Sequence, residues 1–243
     1  MSTSTPETEV EATIEQLALA DWRSRVAELY AEVRRLSLAD PAAAHAAWRD
    51  ERESLYNGHP ASPVPAERRP EFRALHFPYD PSLRFELPLI GERPGAVTPT
   101  EAAPAQSTPT EVGAARPLAR LGGLVLPVST GEAPEFDRIG RIEIPFAGGP
   151  RKLSVFWLRE YSGGIFLPFR DGTNGRETYG GGRYLLDTAK GADLGGDPSA
   201  GTIVVDFNFA YQPSCTFDPR WSCPLSPPEN RLDLEIRAGE RIA

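Results

Sequence analysis

The side chains of this 243-residue chain able to do chemistry gather in its C-terminal half. One group lies in residues 169–184, FRDGTNGRETYGGGRY, where Asp171, Thr173, Asn174, Arg176, Glu177, Thr178, Tyr179, Arg183 and Tyr184 surround five glycines. Glycine permits positive φ and close backbone approach, so such a loop offers main-chain N–H groups beside its side chains. It is not a phosphate loop, because neither G-x4-G-K-[ST] nor a strand-to-helix G-x-G-x-x-G is present. A second group lies in residues 201–211, GTIVVDFNFAY. Period-2 alternation puts Ile203, Val205, Phe207 and Phe209 on one face and Val204, Asp206, Asn208 and Ala210 on the other. Asp206 and Asn208 are then roughly 7 Å apart on a face that is otherwise apolar. A carboxylate there needs a cation or several N–H donors, because an unpaired buried charge costs several kcal/mol. Arg183 and Arg176 are the expected cations. Asn230 shares parity with Leu232, Leu234 and Ile236, so it is expected to point inward at the start of the last strand.

Cys215 and Cys223 stand in a C-x7-C spacing, wider than the C-x2-4-C knuckle of zinc sites, and no second pair matches them. His45, His59 and His76 lie far upstream and form no H-x3-5-H pattern. No metal is expected, and two small buried thiols are the plain reading. The chemical alternative makes Cys215 or Cys223 a nucleophile with His59 as its base.

Three functions fit these residues. The first is a β module binding a small anionic or polar metabolite. Tyr179, Tyr184, Phe207, Tyr211 and Trp221 would line its pocket, and Arg183, Asp206, Asn208 and Asn230 would select the ligand, with Asp171, Glu177 and Thr178 beside them. The second is a hydrolase-like enzyme using the thiols, or Asp206 with Glu177 or Glu229 as an acid/base pair. The third is an assembly protein, a homo-oligomer docking through its N-terminal helix. The sequence names no cofactor and leaves open whether the protein is an enzyme.

The elements that position these residues follow from patterning. Residues 1–12 read as a polar tail and 13–57 as a helical segment. From Ile14 to Leu36, Trp22, Val26, Leu29, Tyr30, Val33 and Leu36 recur at threes and fours, which makes an amphipathic helix. Asp40-Pro41 supplies an N-cap and a first-turn proline for a second helix, carrying Ala44, Ala47, Trp48 and Leu55 and ending at Asn57-Gly58. Residues 58–243 read as a single β domain interrupted by a flexible insertion at 91–116, which has no aromatic residue and almost no large aliphatic. Strand patterns fall at about 72–77, 83–90, 118–128, 138–146, 151–159, 164–169, 183–187, 202–210 and 231–237, with no helix-length pattern between the later ones. The expected fold is mainly β, an antiparallel β-sandwich or small barrel with two N-terminal α-helices. With 26 basic and 34 acidic residues the net charge is −8, which argues against a nucleic-acid binder. No run approaches the roughly 18 apolar residues of a membrane span. The first residues hold no apolar signal core, so no membrane partner and a cytoplasmic location are expected.

The segments FRDGTNGRETYGGGRYLLD and VVDFNFAYQPSCTFDPRWSCPLSPPENRLDLEIRAGE resemble family 1684 of the domains of unknown function, found in bacteria and archaea. The likeness is strongest over residues 165–240 and weaker over 47–90. The family pattern D-x-T-x-G-x-E-T-Y-x-x-G-R-Y, D-F-N-x-A-Y-N-P, two cysteines and P-P-x-E-N-R-L matches at Asp171, Thr173, Gly175, Glu177, Thr178, Tyr179, Gly182, Arg183 and Tyr184. It matches again at Asp206, Asn208, Tyr211, Cys215, Cys223, Glu229, Asn230 and Arg231, and departs at Gln212, where asparagine is expected. The resemblance implies no activity and no cofactor.

Overall fold

The computed structural model describes residues 6–91, 124–129, 134–159, 161 and 163–242. Most of the expected 91–116 insertion, and residues 118–123 of one expected strand, lie outside them. Two helices lead the chain, α1 (Pro6–Ser37) and α2 (Pro41–Gly58). The α2 start is set locally: the Asp40 carboxylate accepts from Ala42 N and Ala43 N, both at 3.0 Å, and Pro41 brings its own helical φ. The amphipathic stripe of α1 faces the body, with Val26, Leu29, Tyr30 and Val33 buried, while Val10, Ile14 and Leu17 nearer its start are exposed. No helix among the described residues is long and apolar enough to cross a membrane.

Among the described residues ten strands follow: β1 (Leu75–His76), β2 (Arg84–Pro88), β3 (Ile90–Gly91), β4 (Leu124–Val125), β5 (Glu135–Ile144), β6 (Arg151–Leu158), β7 (Ile165–Phe169), β8 (Arg183–Asp187), β9 (Thr202–Asp206) and β10 (Glu240–Arg241). The named strands pair antiparallel. The largest sheet has six strands in the order β3-β5-β6-β7-β8, with β4 also on β5, and two smaller sheets join β2 to β9 and β1 to β10. The protein is therefore mainly β with two N-terminal helices, as expected, and among the described residues the sheets form no closed barrel.

One core joins the layers. Tyr30 and Val33 of α1 and Trp48 and Leu55 of α2 pack with Ile142, Val155, Leu167, Leu185, Phe207 and Phe209. Burying each large apolar side chain contributes about 1.5–3 kcal/mol. Gly182 sets the entry to β8: its φ is +103°, and a Cβ there would lie 2.6 Å from the Phe169 carbonyl oxygen, so only glycine brings Arg183 into register with Phe169.

Several boundaries differ from the sequence reading. Helix α1 begins at Pro6, inside the expected 1–12 tail, and the strand expected over 72–77 is only Leu75–His76. That over 83–90 is split into β2 and β3, and that over 138–146 spans Glu135–Ile144. The strand expected over 202–210 ends at Asp206, because the Asp206 carboxylate accepts from Asn208 N at 3.0 Å and caps a single 3-10 turn over Phe207–Phe209. The expected final strand, 231–237, keeps its alternation, with Leu232 and Ile236 buried and Leu234 half-buried, but has only a short parallel contact. Leu232 N donates to Arg170 O at 2.8 Å and Gly172 N to Leu234 O at 2.7 Å. From Ile236 the segment is held by the side chains of Arg183 and Asp171 until Gly239 and Glu240 bond to the β1 region.

His45 shows the core's effect on titration. It lies 2% exposed among Trp48, Tyr79 and Phe209, and its pKa is lowered to about 4, mainly by burial and next by the charge of His76. The unfolded state therefore takes up a proton at about 6.5 that the folded state refuses until about 4. Stability falls as pH drops through that window, by on the order of 3 kcal/mol from this residue. Urea titrations from pH 7 to pH 4 check this: His45→Phe flattens the slope, and an unchanged slope refutes it.

Candidate functional site

The expected site residues form three separate buried clusters. In the first, Arg183 is fully buried and its guanidinium donates to the Ile236 carbonyl at 2.8 Å, to the Glu240 carbonyl at 3.2 Å and to the Ala238 carbonyl. It also pairs with Asp171 at 3.1 Å. Asp171 in turn accepts from Ile236 N at 2.8 Å, Thr173 N at 3.1 Å and Thr173 Oγ1 at 2.6 Å. These bonds tie residues 236–240 to the 171–183 segment, ahead of the pairing of Glu240 with β1. Thr173 and Thr178 hydroxyls meet at 2.8 Å, and Asn174 Nδ2 donates to the Tyr179 carbonyl at 2.6 Å, which closes the loop.

In the second cluster, the cation on Asp206 is Arg84, its register partner on β2, at 3.3 Å. Arg183 is committed to Asp171 and Arg176 to Glu235, so the expected cations for Asp206 are corrected. Burial pushes the Asp206 carboxyl above its usual range, against hydrogen bonds from Asn208 and the nearby Arg84 charge. Asn208 clamps the backbone of Asp80, accepting from its N–H and donating to its carbonyl at 2.8 Å each. The third cluster is Asn230 alone. Its amide accepts from Ser154 N at 2.8 Å and donates to Ser154 O at 2.9 Å and Pro168 O at 2.7 Å. It thus bridges β6 and β7 where their own pairing has stopped. Each group is buried, Asn208 and Asn230 on 3-10 turns and not on the expected strands, and they do not share one hollow.

The remaining expected residues are placed as follows. Glu177 pairs with Arg237 at 3.0 Å, which holds its carboxyl below the usual range, and Glu229 pairs with Arg138 at 2.9 Å. Asp206 thus sits under Arg84 and Asn208, and each carboxylate named for acid/base work is held in its own ion pair. Tyr184 and Tyr211 exchange backbone hydrogen bonds at 2.9 and 3.0 Å, with rings edge to face at 5.7 Å. Phe207 is core, and Trp221 carries the Arg220 guanidinium at 5.1 Å. His59 is not a base for the thiols: Nε2 meets Asp21 at 2.9 Å and Nδ1 accepts from Ala61 N at 3.0 Å. The two cysteines are free and adjacent, with Cys215 N donating to Cys223 Sγ at 3.3 Å.

What the structure does assemble is a cleft of about 300 Å³ beside the β1–β10 pair. Its aromatic floor is Tyr56, Phe72 and Phe217, with ring centroids 5.1–5.6 Å apart. Arg68, Arg73 and Arg241 line it, as do Tyr179 and Thr216. Glu240 is the carboxylate in the lining, and it is bound to Arg52, to the Tyr56 hydroxyl and, through its other oxygen, to Gln212 N at 2.7 Å. Burial is the largest single influence and lowers the Arg52 pKa, but the Glu240 charge and hydrogen bond together with the neighbouring Tyr56 and Tyr30 outweigh it and hold the guanidinium above its ordinary value. Two buried atoms of the cleft residues, Arg241 Nε and Thr216 Oγ1, have no hydrogen-bond partner among the described residues. A smaller cavity of about 60 Å³ lies near Trp22, Tyr211 and Cys223, room for a few waters.

A family model described as "Protein of unknown function (DUF1684)" matches residues 71–241. The chain belongs to DUF1684. Its fold is similar to the solution NMR structure of an uncharacterized protein from Haloarcula marismortui, at 27% identity and a TM-score of 0.51, covering 81% of this chain and 91% of that one. No curated protein matches the sequence. The DUF1684 match takes in both thiols, the three buried clusters and two of the cleft arginines, Arg73 and Arg241, whereas Arg52, Tyr56 and Arg68 precede it. Sequence reasoning missed Arg52, Glu240 and the cleft arginines. A signal for Arg52 was present: it follows Trp48 by four residues on the buried stripe of α2, where a charge requires a partner.

Proposed function

We propose that this DUF1684 protein binds a small anionic metabolite, carrying a carboxylate or phosphate, in the cleft beside β1 and β10. The supporting observation is the pair of buried donors without partners, Arg241 Nε and Thr216 Oγ1, in a cleft lined by three arginines. The three guanidinium groups supply the donors an oxyanion needs, and hydrogen bonds to a charged group contribute about 1.5–3 kcal/mol each. With Glu240 held by Arg52, the cleft's free charge is positive, and a guanidinium presents a fork suited to two oxygens of one anion. Phe72 and Phe217 offer an apolar surface for a short carbon skeleton.

The test is calorimetry against a panel of small mono- and dicarboxylates and phosphate monoesters, with thermal shift as a second readout. At least one panel member binds, and Arg241→Gln weakens it about 10- to 100-fold, the worth of one charge-assisted hydrogen bond. Arg73→Gln has a smaller effect in the same direction, and added salt weakens binding. Failure of the whole panel, or equal affinity of wild type and Arg241→Gln, overturns the reading.

A further inference from the structure

We infer that Cys215 and Cys223 form a thiol–disulfide exchange pair, with Cys215 attacking small disulfides and Cys223 resolving the adduct. The pair adjoins the anion cleft through Tyr179 and Thr216, but the inference does not depend on the anion proposal. The two thiols come from turns on either side of residues 216–222, and the structure sets them in direct contact: Cys215 N donates to Cys223 Sγ at 3.3 Å. Cys215 is half-buried and within reach of solvent, whereas Cys223 is 4% exposed. Cys215 Sγ also lies 3.7 Å from the Tyr179 hydroxyl. An attacking thiol at the surface with a second thiol buried behind it is the arrangement that exchange requires.

The surroundings assign the roles. The hydrogen bond with Cys223, followed by the one with Tyr179, lowers the Cys215 pKa to about 6 against burial, while Cys223 is pushed up by its bond to Cys215 and by burial. The other titratable and charged groups near the pair are Tyr184 and Lys190, the latter paired with Asp187 at 3.2 Å in the cavity that Cys223 lines. In the first step the Cys215 thiolate attacks one sulfur of a disulfide RSSR, forming Cys215–S–S–R and releasing RS⁻, which takes a proton from water. Capping Cys215 removes the charge and the hydrogen bond that kept Cys223 protonated, and Lys190 favours its thiolate. Cys223 then loses its proton to water and attacks the Cys215 sulfur, expelling a second RS⁻. The sum is one protein dithiol and one disulfide converted to one protein disulfide and two small thiols.

Intact mass spectrometry of the full chain treated with oxidised glutathione at pH 7 tests this. Wild type ends lighter by two hydrogens, with no glutathionyl group retained. Cys223→Ser stops as a mixed disulfide at Cys215, heavier by one glutathionyl group, and Cys215→Ser stays unmodified. Iodoacetamide labelling of the wild type gives a readout independent of any variant's folding: the Cys215 rate rises with a midpoint near pH 6, against about 8.5 for a free thiol. Tyr179→Phe moves that midpoint upward. A wild type that keeps its reduced mass or retains the adduct, adduct on Cys223 instead, or a labelling midpoint near 8.5 overturns the inference.

Discussion

Arg183→Met lowers the unfolding free energy by about 3–5 kcal/mol, a large share of the 5–15 kcal/mol typical of a folded domain. The change keeps the length of the side chain and removes its charge and its donors. Asp171 is left as a buried carboxylate without its cation, and the carbonyls of Ile236, Ala238 and Glu240 each lose a donor that water cannot replace. Phe169, whose ring lies 5.1 Å from the guanidinium, loses a cation–π contact as well. Urea denaturation measures the loss. The double variant Arg183→Met/Asp171→Asn falls less far than the sum of the single changes, by roughly 0.5–3 kcal/mol, because the carboxylate no longer needs a counter-charge. A loss below about 1 kcal/mol for Arg183→Met would mean that solvent reaches this pair, and the account of the C-terminal segment would be wrong.

Glu240→Gln is expected to cost a similar amount, about 3–5 kcal/mol, for the same reason with the sign of the stranded charge reversed. Arg52 is 5% exposed and stacks over Tyr211 at 4.6 Å and Tyr56 at 4.9 Å, so it cannot turn out into water without vacating the core. Its counter-charge is Glu240, which ties α2 to the last strand across 188 residues of sequence. Arg52→Met relieves most of the Glu240→Gln penalty in the double variant, and a double-mutant cycle reads the coupling directly. Additive losses would show that the two charges act independently. Both predictions place the C-terminal segment under side-chain control: it is held by two buried arginines as much as by strand pairing.

What the residues reveal alone depends on how far apart the partners lie. The start of α2 was legible because Asp40, Pro41 and the amides they serve fall within one turn. The burial of Asp206, Asn208 and Asn230 was expected, and all three are fully buried, but only Asp206 lies in a strand. Asn208 and Asn230 sit in 3-10 turns, and both faces of 203–210 are buried, so strand alternation does not account for them. The closed polar loop from Asp171 to Tyr179 was visible as a glycine-spaced cluster, for its bonds also run between near neighbours. Local patterning states that a polar group is buried and is silent about what meets it. Arg84 reaches Asp206 because β2 pairs with β9, and Arg183 reaches residues 236–240 because the chain returns past β8. Arg52 meets Glu240 where α2 closes over β10. The DUF1684 cleft likewise exists only where β1 and β10, distant in sequence, come side by side. Local sequence determined which residues are buried and which turns they close. Long-range pairing decided which charge meets which, since a buried ion accepts whatever counter-ion the topology brings within reach.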